Sequence, residues 1–268
     1  MNGIRSSMQE YLFLLNYFLL KRALLNYNIN KMVLLFSNFS FGRNFLITIL
    51  FFTVDSFSNS LVAEDNASNL PAIKKVKEGI YDFGGIIIDR KSNSVSIPAF
   101  SNQVNGLVEY AVVHEDGKIH ESLFRTTVRP QIFHTSLLLL KFKPVEDFFQ
   151  NLWSDDPKSI DYSENCFEIL VSWEINGTNY EKEMENLSIN QSRNGPIEKK
   201  SFIFTGSKMI EGTFLAESSG SILAIYADES AVMNNSDYDS SNDDVWIANK
   251  QEMPPLELPV LIRFHLPQ

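Results

Sequence analysis

GLVEYAVVHEDGKIHESLFRTTVRPQIFHTSLLLL, residues 106–140, holds the succession of elements that decides the fold. Two β-rich runs, GLVEYAVV and IHESLFRT, flank HEDGK, and Asp116-Gly117 is a favoured pair for a two-residue turn. The reading is therefore an antiparallel hairpin. Immediately after it, RPQIFHTSLLLLKF places Pro130 where a first helical turn accepts proline, and the run Leu137 to Leu140 is apolar on every side. That predicts a short buried helix. Three of the four histidines fall in this stretch, so it is also the first place to look for chemistry.

Working outward, FGGIIID (83–89) and SVSIPA (94–99) read as strands joined by the turn RKSN. The acidic segment 144–165 has turn residues and no period, which predicts a loop. FEILVSWEINGTNYEKEM (167–184) reads as a second hairpin turning at Asn176-Gly177, and SFIFTGS (201–207), GTFLAE (212–217), GSILAIYAD (220–228) and LPVLIRFHLP (258–267) read as further strands. The fold class is α+β: a mostly antiparallel β-sheet with one short buried helix following a β-hairpin.

The N-terminal region differs from the rest. GRNFLITILFFTVDSFSNSLVAED (42–65) sets Arg43 before an apolar run from Phe45 to Val54, then small residues and acid, the order of a secretory signal peptide. About ten apolar residues are too few to cross a bilayer. Cleavage near Ser58, Ser60 or Ala63 fits, and Met32 is a more ordinary start than Met1. The expected organisation is a leader with signal peptide over 1–63, a linker over 64–80 and one domain over 81–268. No cysteine stands just after the apolar run, where lipid would be attached, which argues against a lipoprotein. The expected location is exported, periplasmic or secreted, with no integral membrane domain after cleavage.

The formal net charge is -10, and residues 64–268 carry 18 basic against 31 acidic side chains. Such a surface repels phosphate backbones, so nucleic acid is not the expected partner. Cys166 is the single cysteine, which excludes an internal disulfide and a cysteine-rich metal cluster.

If Asp116-Gly117 is a two-residue turn, His120 and Ser122 share one face of the hairpin with Glu109 diagonal to Ser122, while Glu121 and Arg125 point the other way and form an ion pair. A helix laid on the His120 face would bring His134 to this set. Three readings fit the cluster Glu109, His120, Ser122 and His134. It is a structural hydrogen-bond network, a divalent transition-metal site using His120, His134 and Glu109, or a serine-type hydrolase using Ser122. No Gly-x-Ser-x-Gly elbow accompanies Ser122. The segment DYDSSNDD (237–244) clusters oxygen ligands without EF-hand spacing and reads as a solvated acidic loop.

With these residues in view, the chain resembles the YdjY-type domain of exported bacterial proteins of planctomycete and verrucomicrobial type. The resemblance rests on a strand ending at Asp89, on Pro98-Ala99, Glu109-Tyr110, GKIHESL (117–123) and Pro130-x-x-x-His134, and continues through FTGS (204–207) and NDDVWIANKQEMPP (242–255). Lys141 stands where the leucine-rich helix of the family usually closes on glycine, and Ser201 where an aromatic is common. The resemblance implies no established activity. The expected function is an exported, non-catalytic binding or interaction module of the cell envelope, partnered by an envelope protein or a small ligand and needing no cofactor. A metal-binding protein is the alternative and a serine-type hydrolase the third reading.

Overall fold

The structure, a computed structural model, describes residues 70–158 and 160–266. The leader, its signal peptide, the choice of Met32 and the first part of the linker lie outside the described residues. The remainder of that linker contains strand β1 (Ile73–Lys77).

Further strands in chain order are β2 (Ile80–Phe83), β3 (Ile86–Asp89), β4 (Ser94–Ser101), β5 (Tyr110–His114), β6 (Ser122–Thr126), β7 (Glu168–Ile175), β8 (Thr178–Glu183) and β9 (Ser188–Asn190). They are followed by β10 (Gly195–Pro196), β11 (Phe202–Phe204), β12 (Met209–Ile210), β13 (Thr213–Phe214), β14 (Ser221–Ala224), β15 (Met233–Asn235), β16 (Trp246–Ala248) and β17 (Pro259–His265). The helices are α1 (Pro130–Leu139), α2 (Phe148–Leu152) and α3 (Leu215–Ser219). A mostly β, α+β architecture results.

The main sheet runs β1-β2-β3-β4-β6-β5-β14-β15-β11, and β17 pairs with both β4 and β7, extending it through β7 to β8. Period-two alternation sets its faces. In β17, Val260, Ile262 and Phe264 are buried while Pro259, Leu261 and Arg263 are exposed. Helix α1 lies on the inner face, where Phe133 meets Phe264 with ring centroids 4.7 Å apart. The leucine run is not buried all round: Leu137 is enclosed, but Leu138 and Leu139 are 44% and 45% exposed. At the free edge β1 displays Lys74, Lys75 and Lys77, charges that discourage edge-to-edge pairing.

Of the two Asx-Gly turns, Asn176-Gly177 closes a hairpin and Asp116-Gly117 does not. Asn176 and Gly177 have φ of 52° and 78°, the left-handed pair that a type I′ turn demands, and β7 and β8 are antiparallel with Ile175 opposite Thr178. The segment around Asp116-Gly117 is not a hairpin. Neither residue has positive φ, and β5 and β6 are parallel neighbours with Tyr110 opposite Ser122. The chain turns where Gly117 N–H donates to His114 O (2.8 Å), runs back through a single 3-10 turn (Ile119–Glu121), and re-enters the sheet in the direction of β5. Glu115 N–H to Thr126 O and Glu109 N–H to Glu121 O, both 2.9 Å, close the two ends of this loop. The glycine serves close packing here: a Cβ on Gly117 would lie 2.9 Å from Ser219 O and 3.0 Å from Gly220 Cα.

Candidate functional site

The parallel register rearranges the polar set expected around Ser122. His120 is exposed on the 3-10 turn, whereas Ser122 is fully buried and its hydroxyl donates to Lys118 O at 2.5 Å. The side-chain amide of Asn102, a residue without any local sequence signal, donates to Ile119 O (2.5 Å) and Ser122 O (2.8 Å) and holds the turn in place. Glu109 has Glu121 as its neighbour. Burial and the Glu121 charge together raise the Glu109 carboxyl above its usual range, while Lys118 draws it down. Arg125, expected to pair with Glu121, instead grips Glu257 with both terminal nitrogens, at 2.9 and 2.5 Å.

His134 lies one turn into α1 and is half-buried between Phe204 and Phe214, at ring-centroid distances of 5.4 and 5.1 Å. Its Nε2 is 3.9 Å from where a Cβ on Gly206 would stand. The Pro-x-x-x-His and Phe-x-Gly-Ser elements therefore meet as packing partners. Burial among these rings depresses the imidazole pKa, so the neutral ring is the form that fits. Among the described residues no group of three His, Cys, Asp or Glu side chains is disposed to hold a metal ion.

A polar network does form close to Ser122, from residues the sequence did not group. Lys118 Nζ donates to Tyr110 Oη (2.5 Å), and Tyr110 Oη donates to Asp228 Oδ2 (2.8 Å). Asp228 also accepts from Ser230 N–H (2.8 Å) and Ser230 Oγ (2.6 and 2.7 Å). Burial alone would raise the Asp228 pKa, but the Ser230 and Tyr110 donors and the Lys118 charge prevail and lower it. Desolvation and the adjacent Asp228 charge keep the Tyr110 phenol protonated. The network thus ties the β5–β6 connection to the loop after β14. Asp228-x-Ser230 is a recognisable Asx-turn signal, but its link to Tyr110 spans 118 residues.

The acidic loop 237–244 is only partly the solvated loop expected. Asp237 is enclosed and accepts from both terminal nitrogens of Arg193, at 2.8 Å for Nη1, and from Glu198 N–H at 2.8 Å. Asp239 accepts from Asn190 Nδ2 (2.7 Å), and Trp246 Nε1 donates to Asp239 O (3.2 Å). Two of the oxygen-bearing side chains are thereby engaged internally.

An open cleft of about 240 Å³ lies where the end of β5, the start of α1 and the end of α3 converge. His114, Asp116, Arg129, Glu217 and Gly220 line it, and Arg129 Nε donates to Glu217 Oε1. Glu217 Oε2 in turn accepts Gln131 N–H (3.0 Å) at the first turn of α1. Arg129 and Glu217 are 88 residues apart, so no local pattern announces the pair.

No curated protein and no solved structure gives a significant match. A family profile described as the YdjY domain matches residues 86–265, a span running from β3 to the last residue of β17 and enclosing the Ser122 turn, the Tyr110 network and the cleft. The chain belongs to the YdjY domain family.

Proposed function

We propose that this chain is an exported, non-catalytic binding or interaction module of the cell envelope, partnered by an envelope protein or a small ligand. The observation that carries this reading is the state of Ser122: its hydroxyl is fully buried and committed to Lys118 O, so it is presented to no substrate. The neighbouring Lys118, Tyr110 and Asp228 are likewise engaged with one another, as is usual for polar groups that hold a fold closed. Arg43, the apolar run to Val54 and the small residues before Glu64 support export and cleavage near Ser58, Ser60 or Ala63. No described helix is long and apolar enough to cross a membrane.

The test combines a fluorophosphonate probe with elemental analysis of protein purified without chelator. The reading expects no labelling of Ser122 and no stoichiometric metal. Labelling of Ser122 would replace it with a serine-type hydrolase. One equivalent of a transition metal, lost in both His120→Ala and His134→Ala, would replace it with a metal-binding protein.

A further inference from the structure

The cleft between β5, α1 and α3 has a definite hydrogen-bonding character once its internal pairs are set aside. Asp116 N–H donates to His114 Nδ1 (3.2 Å), so the neutral imidazole carries its proton on Nε2. Arg129 uses Nε on Glu217, and its Nη1 and Nη2 are paired with no acceptor among the described residues. Both Glu217 oxygens are occupied, one by Arg129 and the other by Gln131 N–H. Besides the Asp116 carboxylate at its mouth and the Ser218 hydroxyl, the lining therefore carries the donors that these internal pairs leave over: the Nη1–Nη2 edge of the Arg129 guanidinium and the His114 Nε2–H.

We propose that this cleft binds a carboxylate, held by Nη1 and Nη2 of Arg129 and by Nε2–H of His114. The inference rests on reading the domain as a binding module and names the chemistry of its ligand. A guanidinium edge matches the planar, singly charged carboxylate in a two-point contact. Glu217 behind Arg129 and the 90%-exposed Asp116 at the mouth disfavour a doubly charged anion such as phosphate. The volume of about 240 Å³ admits the carboxylate with a short body, seated beside Pro130 and Gly220. A free small acid and the C-terminus of a chain share this chemistry.

The test is an NMR titration of the full chain with N-acetylglycine, propionate, N-acetylglycinamide and inorganic phosphate. Saturable shifts at His114, Arg129 and Gly220 are expected with the two carboxylates, with the amide and phosphate weaker by about tenfold or more. Tighter binding of N-acetylglycine than propionate assigns a chain terminus, and equal binding a free acid. Arg129→Gln should abolish the shifts. Asp116→Asn should strengthen carboxylate binding by about twofold or more, because it removes a like charge at the mouth while the backbone N–H of residue 116 still donates to His114 Nδ1, a gain that misfolding would not mimic. Equal response to the carboxylate and its amide, equal response to phosphate, or no shift at all would overturn the proposal and leave the non-catalytic reading intact. Chemical conversion of an added compound during the titration would do the reverse.

Discussion

Gly117 and Gly220 meet backbone against backbone: a Cβ on Gly220 would stand 2.7 Å from the Gly117 Cα and 3.1 Å from its nitrogen. Gly220 also has φ of 74°, so the joint between α3 and β14 is closed by a residue without a side chain for two separate reasons. Gly220→Ala is expected to cost more than about 2 kcal/mol, combining left-handed strain with overpacking. Gly177→Ala is the control, since Gly177 has φ of 78° and open space around it. It should cost only about 1 kcal/mol. Equal losses in urea unfolding would mean that the close approach adds nothing.

This contact explains what was legible in the sequence and what was not. Asp116-Gly117 and Asn176-Gly177 are equivalent as local turn signals, yet one marks an antiparallel hairpin and the other a loop between parallel strands. At the first of them Gly117 packs on Gly220, 103 residues further along the chain, a contact that no local pattern announces. The grouping of Glu109 with His120 and Ser122 was argued from an antiparallel hairpin, and the register that relates these residues is parallel, with Glu109 N–H on Glu121 O. Strands β3, β4, β7 and β17 are readable from their own residues, as β-branched and aromatic runs bounded by turn residues. Strand β15 was not, because Asn234 and Asn235 are disfavoured in strands. Their side chains are fully buried, bonding to Thr205 Oγ1 and to the carbonyls of Asp228 and Ile225.

The departure at Lys141 has a geometric consequence. Helix α1 ends with Lys141 at φ of 67°, Lys141 N–H on Leu138 O and Phe142 N–H on Leu137 O, a left-handed closure that favours glycine. Lys141 is exposed, and its neighbour Phe142 packs edge-on to Phe167 at 5.0 Å. Lys141→Gly should therefore stabilise the chain by about 1 kcal/mol, as relief of the backbone strain outweighs the added freedom of the unfolded state. A lower urea midpoint in the variant would show that the lysine side chain contributes more than its backbone costs.

Cys166 is 2% exposed, its thiol donates to Tyr162 O (3.1 Å), and burial pushes its pKa up to about 12. The thiolate is the reactive form, so modification at pH 8 by a disulfide reagent should be slower in the native chain than in urea by about a thousandfold or more. Comparable rates would place the thiol at an accessible surface.

Glu185 is 6% exposed, and burial raises its carboxyl pKa to about 7, against backbone hydrogen bonds that act to lower it. Between the ordinary value of 4.5 and about 7 the folded chain holds a proton that the unfolded chain has released. Stability from this group is therefore greatest below pH 4.5 and is lost as pH rises to about 7, by at most about 3 kcal/mol. Glu185→Gln removes the titration, so the variant should match its parent near pH 4.5 and exceed it in urea midpoint at pH 8. His134 acts in the opposite sense, since a depressed imidazole pKa makes stability fall as pH drops below 6.5. That contribution is common to both proteins and cancels in their difference. A difference in unfolding free energy that stays constant from pH 4.5 to pH 8 would show that the Glu185 carboxyl ionises as freely in the folded chain as in the unfolded one.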